Sequence, residues 1–110
     1  MGLTTSMQGD VTRIDLGSQL TVGNRQELKA VVQQALEDGG RKLLLDCART
    51  GYIDSSGLGA LVTIARRVRE QGGAIRLAGL NEDLRSLFEL TKLDTLFEIF
   101  PDSDGALAGF

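Results

Sequence analysis

Lys42-Leu43-Leu44-Leu45-Asp46-Cys47 places three leucines in succession just after the pair Gly39-Gly40. Successive side chains of a strand point to opposite faces, so this run carries apolar groups on both. A strand of that kind needs cover above and below it, as in the interior of a parallel or mixed sheet. The rest of the chain must therefore supply neighbouring strands and helices for both faces.

The flanking patterns meet that requirement. Val11 to Leu16 alternates in part, with Ile14 and Leu16 facing one way, which predicts a half-buried strand. Leu3 to Met7 is a candidate edge strand, and Gly17 to Thr21 reads as a turn or a short extended piece. Asn24 followed by Glu27 resembles a capping box, and Leu28, Val31, Val32, Ala35 and Leu36 recur at helical spacing. Gly39-Gly40 ends that helix, since glycine takes the left-handed closing conformation without a Cβ clash. A second helix is expected from Asp54–Ser56 to Gly72-Gly73, on Leu58, Leu61, Val62, Ala65 and Val68. Ala74 to Ala78 is the next strand. Asn81 caps a third helix whose inner face is Leu84, Leu87, Phe88 and Thr91. Leu96 to Phe100 reads as a strand closed by Pro101, and Asp102 to Phe110 as a helical turn or a frayed end. Strands alternating with helices predict an α/β domain with largely parallel strands and right-handed crossovers.

The densest chemistry lies at Tyr52-Ile53-Asp54-Ser55-Ser56-Gly57-Leu58-Gly59. There a loop after the leucine strand becomes a helix N-terminus, with unpaired N–H groups and about half a positive charge. Asp54 and Ser55 are suited to capping, whereas Ser56, in the first turn, is placed at the surface. Gly57 offers close approach to another backbone or a nucleotide, and helix-on-sheet packing is the plainer account of Gly59. Arg66, Arg67 and Arg69 read as a solvated face, and Phe88, Phe97 and Phe100 as core.

Composition narrows the chemistry. At 110 residues the chain suits one compact domain, and a net charge of −3 gives no basic footprint for nucleic acid. Histidine is absent, so no Ser-His-Asp triad can form and the usual metal ligand and neutral-pH base are missing. The single cysteine, Cys47, reads as a small core residue in a reducing compartment. No apolar run approaches the roughly 18 residues of a membrane span, and Met1 to Ser6 lacks the features of a signal peptide. A cytoplasmic location is expected. Val62 stands where a dinucleotide fingerprint would need a third glycine, and neither a P-loop nor a Gly-x-Ser-x-Gly elbow occurs.

Ile53-Asp54-Ser55-Ser56-Gly57-Leu58-Gly59 resembles the signature of bacterial anti-sigma factor antagonists, which belong to the STAS domain family. The resemblance runs from Val11 to about Asp102 and includes Gln71-Gly72-Gly73 and Leu87-Phe88-Glu89-Leu90-Thr91-Lys92-Leu93. It implies one STAS domain over residues 1–110, an α/β fold whose small, mostly parallel mixed sheet has four to five strands, with about four helices. It implies phosphorylation at Ser56 by an anti-sigma factor that is also an ATP-binding serine kinase. The unphosphorylated protein would bind that kinase and release the sigma factor, and a serine phosphatase would restore it. Asp54, Ser55, Ser56, Gly57 and Leu58 would meet the partner. The resemblance implies no catalytic residue, metal, cofactor, nucleic acid or membrane.

Two other readings stand beside this one: a STAS partner switch that controls a target other than a sigma factor, and a small enzyme using Asp54 or Ser56 directly. The missing histidine weighs against the enzyme. Two positions depart from the family pattern. Thr21 stands where many relatives carry an acidic residue, in a loop often near the phosphorylated serine. Lys92 stands where glycine is common, which is expected to affect only a helix end. The sequence leaves oligomeric state open.

Overall fold

Leu43, Leu44 and Leu45 are completely buried, as their need for two-sided cover demands. The computed structural model describes residues 2–110. In it, β4 (Lys42–Asp46) is the central strand of a five-stranded sheet ordered β1-β2-β4-β6-β7. Its partners are β2 (Val11–Asp15) and β6 (Ala74–Ala78), both parallel, and β7 (Glu98–Phe100) extends the parallel set. Only β1 (Thr4–Gln8) runs antiparallel, joined to β2 by a turn at Gly9, whose φ of 65° suits glycine. The sheet is thus mixed and mostly parallel.

The helices divide between the two faces. Helices α1 (Arg25–Glu37), α2 (Ser55–Glu70) and α3 (Glu82–Leu90) share the core that contains Ile14, Leu43, Leu45, Leu77, Leu61 and Phe88. Leu44 points the other way, into a smaller cluster with Val11, Ala78 and Ala106 under the short helix α4 (Ser103–Leu107). Arg76 helps hold that end down. Its guanidinium lies between the rings of Phe100 and Phe110, at 5.0 and 4.3 Å from their centroids, and donates to the carbonyl of Ala106.

Several local expectations change. Leu96 and Phe97 lie outside β7, in the turn that leads from the 3-10 helix at Leu93–Thr95 into the strand. Thr91 is exposed and caps the end of α3 instead of facing the core. Lys92 has a φ of 63°, the one non-glycine residue in the left-handed region among those described. A glycine would suit this position for that reason. Beyond the main sheet, β3 (Gln19–Leu20) and β5 (Tyr52–Ile53) form a separate parallel pair with Gln19 opposite Tyr52 and Leu20 opposite Ile53. Neither appears in the periodicity, since two residues are too few to show one. This pair carries the candidate site.

Candidate functional site

β5 delivers the chain to Asp54, whose backbone is extended (ψ 179°) before α2 begins at Ser55. One carboxylate oxygen of Asp54 accepts from the Gly57 N–H at 2.7 Å, the bond of an N-cap. Its other oxygen accepts from the Val22 N–H at 3.1 Å. The Asp54 N–H donates to the Leu20 carbonyl at 3.1 Å, and the Asp54 carbonyl takes the Leu58 N–H at 2.9 Å. Two of these bonds close the first turn of α2, and the other two fasten it to β3 and the β3–α1 loop. The cap is Asp54 alone. Ser55 is the first helical residue, so the sequence-based assignment of a capping role to it is corrected.

The two glycines exchange roles. Gly57 is buried, and a Cβ there would stand 2.5 Å from the Leu20 carbonyl oxygen and 3.0 Å from Ile53 Cγ2. Its missing side chain is used within the protein, to seat α2 on β3, and it offers no open approach to a partner. Gly59 is exposed, and an added Cβ would meet nothing within 4 Å, so helix-on-sheet packing does not account for it. Leu58 is half-buried against the core. What the site presents outwards is Ser55, exposed, and Ser56, half-buried in the first helical turn.

The β3–α1 loop is built on its own contacts. Asn24 is not the side-chain cap of α1 that its spacing from Glu27 suggests. Its amide turns back across the loop, accepting from the Thr21 N–H at 2.9 Å and donating to the Gln19 carbonyl at 2.9 Å. Thr21 accepts the Gly23 N–H on its hydroxyl at 3.1 Å. Residues 18–24 carry no charge. Val22 and Tyr52, 63% and 57% exposed, stand on the loop and on β5 next to the serines. Sequence reasoning missed Val22, and it included Tyr52 in the central stretch without giving it a role. Their exposure comes from the β3–β5 pair, which brings no periodic signal of its own.

The remaining titratable groups of note lie elsewhere. Asp46 is buried on the α4 face, where it accepts from Arg13, from the Ser103 hydroxyl at 3.0 Å and from the Ala48 N–H at 2.9 Å. Burial alone would raise its carboxyl, yet these donors and the Arg13 charge hold it below the ordinary carboxylate value. The Cys47 thiol is fully buried and its pKa is pushed up, first by burial and then by the charges of Asp46 and Asp15. It is a core group. Among the described residues no set of three or more Cys, Asp or Glu is placed to hold a metal ion, and no helix is long and apolar enough to cross a membrane.

Known proteins share this fold. The STAS domain family matches residues 3–106. The anti-sigma-B factor antagonist of Staphylococcus aureus is 25% identical over 99 residues, spanning 90% of this chain and 92% of that protein. The crystal structure of a candidate anti-sigma factor antagonist from Thermotoga maritima superposes with a TM-score of 0.89 at 26% identity, covering 96% of this chain and 91% of the other. The Bacillus cell fate determinant SpoIIAA in its phosphorylated form has the same fold, with a TM-score of 0.75 at 19% identity and 96% of each chain covered.

Proposed function

Because the chain belongs to the STAS domain family, and the relative from Staphylococcus aureus that matches nine-tenths of it is named an anti-sigma-B factor antagonist, we propose that it is such an antagonist, switched by phosphorylation at Ser56. The observation that carries this reading is the placement of Ser56. It is half-exposed in the first turn of α2, on a scaffold that Asp54 and Gly57 lock to the β3–α1 loop. In this reading the unphosphorylated face binds an anti-sigma factor that is also an ATP-dependent serine kinase, and the sigma factor is released. A serine phosphatase reverses the modification, and the exchange takes place in the cytoplasm. The protein acts by binding and performs no reaction of its own.

Charge supports a switch at the surface. A phosphate adds about −1.5 to −2 charges. The helix N-terminus favours it by roughly 0.3–1 kcal/mol, whereas the Asp54 carboxylate repels it. Both are small against a domain stability of roughly 5–15 kcal/mol, so the modification changes what the face can bind while leaving the fold in place. The docking face comprises Ser55 and Ser56, with Asp54 and Leu58 beneath them and Val22 and Tyr52 at its rim. Gly57 contributes by seating the helix. With Thr21 in the loop, residues 18–24 add no carboxylate to the Asp54 charge two positions before Ser56.

The test is a pull-down from the source organism with wild type, Ser56→Ala and Ser56→Asp, followed by phosphorylation with purified kinase and mass-spectrometric mapping. Wild type and Ser56→Ala are expected to recover an ATP-binding kinase that Ser56→Asp does not, with the phosphate on Ser56. Equal recovery by all three, or a phosphate elsewhere, defeats the switch.

A further inference from the structure

The two edges of the main sheet are guarded unequally. At one edge β7 is three residues long, carries Glu98 and runs into Pro101, features that discourage pairing with another chain. At the other, β1 reads Thr4-Thr5-Ser6-Met7-Gln8, with no charge, proline or glycine, and all five residues are exposed. β1 pairs only with β2, so its outer row of N–H and C=O groups meets no other strand of the fold. On the α1 side of that strand lies a groove of about 390 Å³, lined by Thr5, Met7, Thr12, Val31 and Ala35 together with the polar Gln34 and Asp38. Met7 is 62% exposed on its wall, one of four large apolar side chains so exposed among the described residues.

We propose that β1 is the contact through which two copies of this chain associate, by antiparallel β1–β1 pairing about a twofold axis at Ser6. The strand is self-complementary in that register. Thr4 faces Gln8 of the partner subunit, Thr5 faces the partner's Met7, and Ser6 faces the partner's Ser6. A neutral strand pairs with its own copy without the like-charge repulsion that a charged edge would impose. Thr5 and Met7 share the face towards α1, as their place in the groove shows. The pairing therefore brings both Met7 side chains and both grooves together into one covered, mostly apolar strip that has Gln34 and Asp38 among its lining. A second copy thus answers the open backbone edge, the exposed methionine and the groove together. A contact of five residues on either side falls at the small end of protein interfaces, below about 1,200 Å² in total, so the dimer is weak and reversible. Ser56 lies at the start of α2, away from β1, and the proposal stands independently of any switch there.

Sedimentation velocity from low micromolar to about millimolar concentration reads the monomer–dimer equilibrium directly. Wild type is expected to dimerise with rising concentration. Met7→Lys and Thr5→Lys, which bury a charge in the covered strip diagonally across from its own symmetry mate, should each raise the dissociation constant roughly tenfold or more. Both positions are exposed, and far-UV circular dichroism verifies the fold. Ser6→Cys should form a reducible dimer under mild oxidation, since directly opposed Cβ atoms lie about 4.5–5.5 Å apart, near disulfide range. Ser86→Cys, on the exposed face of α3, should not, and Cys47 is buried out of reach. A wild type that stays monomeric throughout, or a dimer that both lysine variants leave intact, overturns the proposal.

Discussion

The Asp54 carboxylate and the Val22 amide, 32 positions apart in the chain, are joined by a hydrogen bond of 3.1 Å. The same carboxylate caps α2 through Gly57. One side chain thus sets both the start of the helix that bears Ser56 and the position of the loop beside it.

Replacing Asp54 separates those two tasks. Asp54→Ala should cost about 1–2 kcal/mol, the value of an N-cap plus an additional hydrogen bond. Asp54→Asn, which keeps one acceptor, should cost less. Urea unfolding measures the difference. Amide exchange at Val22 should quicken in Asp54→Ala while the core amide of Leu45 stays protected. Unchanged Val22 exchange would mean that the loop is held by Asn24 and Thr21 alone.

Gly57 and Gly59 should respond in opposite directions to the same methyl group. Gly57→Ala drives a Cβ against the Leu20 carbonyl, a backbone atom that cannot swing aside, and is expected to destabilise by about 1–3 kcal/mol. Gly59→Ala enters open space within a helix and should stabilise by about 0.5–1 kcal/mol. Thermal unfolding of the pair checks the contrast, and equal effects would contradict it.

Lys92 holds a left-handed conformation at the end of α3. Lys92→Gly removes the Cβ penalty and should raise stability by about 0.5–1 kcal/mol despite the greater freedom of glycine in the unfolded chain. A loss of stability would show that the lysine side chain itself contributes a contact.

Asp46 should shape the acid limb of stability. Its folded pKa is depressed, so its contribution is present above the unfolded carboxylate value of about 3.9 and is lost as pH falls through the folded pKa. Asp46→Asn should therefore be less stable than wild type by about 1–3 kcal/mol at neutral pH, through weaker bonds to Arg13 and Ser103. That gap should narrow as pH drops below about 4. A gap constant from pH 7 to pH 2.5 would show that the charge is not responsible.

Much of the fold was legible because apolar periodicity reports which face of an element is buried. The leucine run announced a central strand, and Ile14, Leu28, Val32, Leu61 and Phe88 all occupy the core that their spacing requires. Asn81 caps α3 as its position suggested, through the Leu84 N–H at 2.8 Å. Asn24 misled because an Asn at a helix start has two competing uses. Here the loop needed its amide at Gln19 and Thr21 more than α1 needed a cap.

The sequence by itself determined the order of the main-sheet strands and the three long helices, the α/β class and the placing of Ser56 in the first turn of a helix. Those properties depend on residues within a few positions of one another. Only the tertiary structure decided that Val22 meets Asp54, that Gly57 is filled space while Gly59 is open, and that the edge strand β1 pairs antiparallel to β2. These depend on which distant backbone groups come within about 3 Å, and neither periodicity nor spacing along the chain carries that information.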